Sequence, residues 1–267
     1  MNILKLLDKY SAPQTEQPKP ETNSRRDAFR QFGSIVKDVA MVSIPFGAAL
    51  VTPHRSYAQM SGSSVVDVLN FALTLEYLEA EFYQMGLDAG GLLSGDVRSI
   101  IAQIGKHEDQ HVEFLRVAIN SLGGTPIDKP EFDFTAGGTF SDVFSNMQTY
   151  LALAQAFEDT GVRAYKGQAA NLIMADDILQ AALQIHSVEA RHASEVRRLR
   201  GSKGWIVEDE NTSAPAAAAV YAGEDNLIQL GVDASSVTPV NRVAVTESYD
   251  EPLSRDEVLA IASLFLA

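Results

Sequence analysis

One feature governs what this chain can fold into: it carries the same helix pair twice. Glu76 is followed seven residues later by Tyr83, and Glu158 is followed seven residues later by Tyr165. Behind each comes an E-x-x-H step, Glu108-Asp-Gln-His111 in one half and Glu189-Ala-Arg-His192 in the other. The distance from the first glutamate to that step is 32 residues in one half and 31 in the other, and the halves are offset by 82 and 81 residues. Self-similarity at a fixed period marks a repeated supersecondary unit whose copies bury their apolar faces against each other.

Four long segments show apolar residues at three- and four-residue steps, the period of an amphipathic helix. The first runs from about Ser64 to Leu87, with Val65, Leu69, Ala72 and Phe82 inward. The second spans about Asp96 to Leu122 and reads Ile101, Ile104, Glu108, His111, Leu115, Ile119. The third, about Ser141 to Lys166, gives Met147, Leu151, Ala154, Glu158, Gly161, Tyr165. The fourth, about Asp176 to Arg200, gives Ile178, Ala182, Ile185, Glu189, His192, Val196, Leu199. The expected class is all-α.

Within these stripes lie Glu108, His111, Glu158, Glu189 and His192. A charged side chain in a buried seam costs several kcal/mol unless it is paired or bound to metal. Five at matched depth predict a polar centre inside the bundle. In E-x-x-H the carboxylate and imidazole share one helical face, so both reach the same ion. Two such helices plus Glu76 and Glu158 supply four carboxylates and two imidazoles, enough to neutralise two divalent cations. Oxygen-rich sites with one nitrogen per metal favour iron, alternatively manganese. The expected set is Glu76, Glu108, His111, Glu158, Glu189 and His192, with Glu108 and Glu189 bridging.

The stretch "GKHEDQHVEF" also contains H-E-x-x-H from His107, the helix motif of zinc proteases. That reading needs His107 and His111 as ligands and Glu108 as base. It leaves Glu76, Glu158, Glu189 and His192 without a role, and the repeat puts Val188 where His107 stands. His107 is therefore expected beside the stripe as a supporting or surface residue. Glu79 lies three residues after Glu76, and its repeat equivalent is Gly161. It is an additional ligand, a hydrogen-bond partner or a replacement for Glu76, while Tyr83 and Tyr165 are expected to cap carboxylates.

The expected architecture is a four-helix bundle over residues 59–201. The first connection, "DAGGLLSG", and the third, "GQAANLIMA", are short, whereas "GGTPIDKPEFDFTAGGTF" joins the second helix to the third. A helix of about 27 residues is roughly 40 Å long, and about 18 extended residues reach roughly 60 Å. The crossover can thus return along the whole bundle, an arrangement expected to set helices one and three in the same direction. Residues 202–267 read as a linker, "NTSAPAAAAVYAGEDN", a short alternating run in "NRVAVTESYD" that suits a strand, and a capped apolar helix, "LSRDEVLAIASLFLA". So apolar an end is expected to dock on the bundle or on a partner subunit, the latter making a homo-oligomer.

At these residues the chain resembles the ferritin-like superfamily. "LNFALTLEYLEAEFY" is similar to the first helix of bacterioferritin-type proteins, and Glu158 with Gly161 matches their third. Closer still is the resemblance to exported ferritin-like proteins of the desiccation-related type, which share "LTLEYLEAEFY", "GVRAYKG" and the tail "SYDEPLSRDEVLAIASLFL". The resemblance implies a di-iron or dimanganese centre that oxidises ferrous iron or reduces oxygen or peroxide in stress protection. It equally admits a metal-binding or structural stress protein without turnover. There are no cysteines, hence no rubredoxin-like site, and a peroxidase would draw on an external electron donor.

Residues 1–58 resemble a twin-arginine export signal: Arg25–Arg26, the apolar run "VAMVSIPFGAALV", then small residues at Ser56 and Ala58 before Gln59. The expected destination is periplasmic or otherwise extracytoplasmic. The formal charge is −14 over 267 residues, which argues against nucleic acid as a partner. No run of 18 apolar residues is present, so no ordinary membrane span is expected.

Overall fold

A computed structural model describes residues 64–208, 215–237 and 239–267. The export-signal reading over residues 1–58 lies outside the described residues. No described helix is long and apolar enough to cross a membrane.

Four long helices form the bundle: α1 Val65–Asp88, α2 Gly95–Ser121, α3 Met147–Gln168 and α4 Asp176–Leu199. Ser64 starts α1 with a capping box, its side chain accepting from Asp67 N while the Asp67 carboxylate accepts from Ser64 N. The third helix begins later than the periodicity suggests. Asn146 accepts from Gln148 N at 3.0 Å and caps α3 at Met147, and residues 141–145 are folded as turns. Met147, expected in the buried stripe, is consequently exposed at the helix's first position. Both acids in the first turn of α4 and both arginines in its last turn complement the helix dipole.

The helix directions correct one expectation. At one end of the bundle Ala72 of α1 shares a core with Leu115 of α2, Tyr165 of α3 and Ile185 of α4. At the other end Phe82 meets Ile101, Tyr150 and Val196. Along α1 the numbers rise, along α2 and α3 they fall, and along α4 they rise again. Helix α3 is therefore antiparallel to α1 and parallel to α2, because the crossover climbs the full bundle before α3 descends. A short connection would have given the opposite sense. Asn70 pins the start of that crossover, donating to Thr125 O at 3.1 Å and accepting from Ile127 N at 2.9 Å.

The two ends are packed differently. One is aromatic: Phe82 stacks on Tyr150 at 4.6 Å and meets Phe134, Phe144 and Phe157. Gly86 permits this, since a Cβ there would overlap the Tyr150 ring. The other end is aliphatic and alanine-rich, with Ala72, Ala118 and Ala182 among its core residues.

Residues beyond the bundle dock onto it. A 3-10 turn, Pro215–Tyr221, replaces the expected linker and buries Val220 and Tyr221. A two-stranded hairpin, β1 Ile228–Gln229 and β2 Val232–Asp233, and the short helices α5 Ala234–Val237 and α6 Arg242–Thr246 come next. The alternating run expected as a strand is α6, whose start Asn241 caps by accepting from Ala244 N. Helix α7, Arg255–Ala262, carries the expected capping box and packs Val258, Ile261 and Ala262 against Phe71, Leu75 and Ala164. The terminus then pairs with the crossover through Phe132 and Leu266.

Two buried polar groups on the outer side of α3 hold this extension. The Arg163 guanidinium donates to the Glu251 and Ala222 carbonyls and pairs with Glu224 at 2.9 Å. Asp159 accepts from Arg197 at 2.6 Å and from the Tyr221 hydroxyl at 2.8 Å. Helix α3 is thus buried on all sides from Phe157 to Tyr165. Gly167 lets the chain pass, because a Cβ there would collide with the Leu253 carbonyl.

Candidate metal centre

All six residues expected as ligands lie at the middle of the bundle. Glu76, Glu108, Glu158 and Glu189 have no exposed surface, and His192 is 4% exposed. His111 is half-buried, its side chain 12% exposed. Each helix contributes from its inward face, α1 and α3 one glutamate each, α2 and α4 their E-x-x-H pairs.

The side chains form two groups: Glu76, Glu108, His111 and Glu189, and Glu108, Glu158, Glu189 and His192. Within each, one ligand atom per residue lies within 4.8 Å of every other. Glu108 and Glu189 belong to both groups, the position a bridging carboxylate must occupy. His111 Nδ1 faces Glu76 at 3.2 Å, Glu108 at 3.0 Å and Glu189 at 3.1 Å. His192 Nδ1 faces Glu108 at 2.8 Å, Glu158 at 3.4 Å and Glu189 at 3.7 Å. The geometry repeats across an approximate two-fold axis, as the sequence repeat requires.

Several of these atoms are buried without a hydrogen bond: Glu108 Oε1, Glu158 Oε2, both carboxylate oxygens of Glu189, and His192 Nδ1. They are close to one another but not aligned as donor and acceptor. Buried polar atoms left unsatisfied are rare and costly. Convergence on a common point from four helices is the disposition of ligands around cations, and the donor set of hard oxygens with one nitrogen per group suits iron or manganese. The residues present fit a pair of divalent ions.

Two hydrogen bonds cross between the halves. The Tyr83 hydroxyl donates to Glu158, and the Tyr165 hydroxyl donates to Glu76. Burial, then the neighbouring glutamate charge, pushes both phenols well above their ordinary range, so they stay neutral donors. Burial and the Glu189 charge push Glu76 up to about 8. Burial also raises Glu158, against the opposing pull of His192. Burial alone would raise Glu189, but the imidazoles of His111 and His192 outweigh it and hold Glu189 at about 2. Burial opposes charging of both histidines, yet the surrounding carboxylates win and raise them.

Glu79 belongs to neither group. It is buried, and burial followed by the charges of Glu189 and Glu158 raises it well above the usual carboxylate range. Its space comes from the other half: a Cβ on Gly161 would stand 3.3 Å from Glu79 Oε1. His107, which the zinc-protease reading needs as a ligand, is also outside both groups. Its ring stacks on His192 at 5.1 Å, with its Nδ1 2.9 Å from His192 Nε2. Gln103, one helical turn earlier and exposed, lies 2.6 Å from His107 Nε2. The sequence pattern alone did not single out Gln103; its four-residue step from His107 was the available signal.

A family model described as a ferritin-like domain matches residues 64–202. Comparison with curated proteins gives no match.

Proposed function

Because the chain belongs to the ferritin-like domain family, we propose that it is a di-iron or dimanganese carboxylate protein that oxidises ferrous iron or reduces oxygen or peroxide in stress protection. The observation carrying this reading is the pair of four-residue groups sharing Glu108 and Glu189. Glu76 and His111 would hold one ion, Glu158 and His192 the other, and the two shared carboxylates both. Bound there, the ions would supply redox chemistry to a protein that has no cysteine.

The protein's own groups set the conditions. Four carboxylates balance the charge of two divalent ions, and Tyr83 and Tyr165 hold Glu158 and Glu76 in place from the opposite half. His107 and Gln103 link His192 to the surface through polar atoms, and Glu79 is a further buried carboxyl beside Glu189. Electrons for repeated turnover come from an external donor. The exported location and the desiccation-related type complete the proposal, on the twin-arginine-like leader and the shared helix and tail motifs.

The test is ferrous loading without oxygen, followed by metal analysis and then by oxygen and peroxide consumption. Two ions per chain with consumption of either oxidant supports the proposal. Two ions without consumption leaves a binding protein, and no bound metal overturns the reading.

A further inference from the structure

The aliphatic end of the bundle contains a cavity of about 20 Å³. Its walls come from all four helices and include Ala72, Leu115, Tyr165 and Ile185. Ala72 lies one turn before Glu76, Leu115 one turn beyond His111, and Ile185 one turn before Glu189. The Tyr165 ring lines the cavity while its hydroxyl holds Glu76. The void is thus one layer from the carboxylate cluster, on its Glu76 and His111 side.

The lining is apolar except for Gln168. That side chain is 4% exposed, its Oε1 accepts from Asn171 at 2.9 Å, and its Nε2 has no partner. A buried water needs two to four polar partners, and a space of roughly 10–15 Å³ suffices to hold one. The cavity therefore has the room for a water and lacks the partners to keep it. Well-packed interiors hold few such voids, and the equivalent position at the other end of the repeat is filled by aromatic rings. Toward solvent the lining ends at Phe114, which is 44% exposed.

We propose that this cavity takes up dioxygen from solvent past Phe114 and holds it beside the metal centre. The fit is one of size and polarity: a diatomic apolar gas occupies a dry void of this volume, whereas peroxide, with two hydroxyl groups to satisfy, does not. The inference rests on the proposed oxygen chemistry of the centre and adds the route and the holding site.

Crystals of the full chain pressurised with xenon test the site without any turnover. Xenon bound among Ala72, Leu115 and Ala182 is expected, and its absence there overturns the proposal. Ala72→Leu, with the milder Ala182→Val as a second variant, fills the void. Both are expected to bind ferrous iron as the unaltered chain does, to react with oxygen more slowly by about tenfold, and to react with peroxide at the unaltered rate. An unchanged oxygen rate in both variants overturns the holding role alone. Equal slowing with oxygen and peroxide also overturns it, since that pattern reports a disturbed metal centre. If the unaltered protein binds two ions and ignores oxygen, the oxygen reading fails and takes the proposed occupant with it, whatever xenon does.

Discussion

The Tyr83 hydroxyl donates to Glu158, a carboxylate from the other half of the repeat, and Tyr165 returns the bond to Glu76. The reciprocal pair ties α1 to α3 on both sides of the centre. Each bond gives one oxygen of a fully buried carboxylate its donor. Tyr83→Phe and Tyr165→Phe should each destabilise the metal-free protein by about 1–3 kcal/mol, the cost of leaving a buried acceptor unpaired. Chemical denaturation of the two variants reads this, and near-equal losses are expected from the two-fold geometry.

Glu108 and Glu189 each face both histidines. Glu108→Ala and Glu189→Ala should therefore each lose at least one of two ions, as read by metal analysis after anaerobic loading. Glu79→Gln should keep both, because Glu79 belongs to neither group. Full retention by either alanine variant would remove the bridging assignment.

Protons and cations would compete for the carboxylates and imidazoles of this site. In the metal-free protein the folded-state pKa of Glu76 is raised from an ordinary 4.5 to about 8, and the two histidines are raised above 6.5. Groups so raised stabilise the fold fully below their unfolded values and lose that contribution as pH rises through the folded ones. Glu189, held at about 2, acts oppositely, with stability lost only as pH falls toward that value. The melting temperature of the metal-free protein should thus decline between pH 5 and about pH 9, and metal should abolish the decline. Calorimetric uptake in buffers of different ionisation enthalpy should show protons released as ions bind.

Arg163 is the anchor of the carboxy-terminal extension. Arg163→Ala leaves the buried Glu224 without its cation and should cost about 3–5 kcal/mol. Gly167→Ala should loosen the same contact from the other side by displacing the Leu253 carbonyl. Limited proteolysis is the direct readout, with cleavage beyond residue 202 before any cleavage within the bundle.

The convergence of the six side chains was legible in the sequence because its logic is local. A helix fixes the face shared by Glu108 and His111, and the repeat supplies the second copy. The direction of α3 was not, since it depends on the end of the bundle at which the crossover stops, and reach alone does not orient the next helix. The start of α3 was misplaced for a similar reason: Asn146 competes for its own backbone, a choice that periodicity does not register. Asp159 and Arg163 look like solvated polar residues in sequence, and only the docking of Tyr221 and Glu224, more than 55 residues away, buries them. The run "NRVAVTESYD" alternates for four residues and is still helical, because an asparagine cap outweighs so short a pattern.

The two halves differ at Glu79 against Gly161 and at His107 against Val188. Both additions favour the same member of the pair: His107 rests on His192, and the charges weighing most on Glu79 are those of Glu189 and Glu158. The cavity abuts the opposite member, through Tyr165 and Glu76. The centre is thus flanked by polar contacts at one member and by an apolar cavity at the other, so a proton path and the proposed gas path would reach it from different sides.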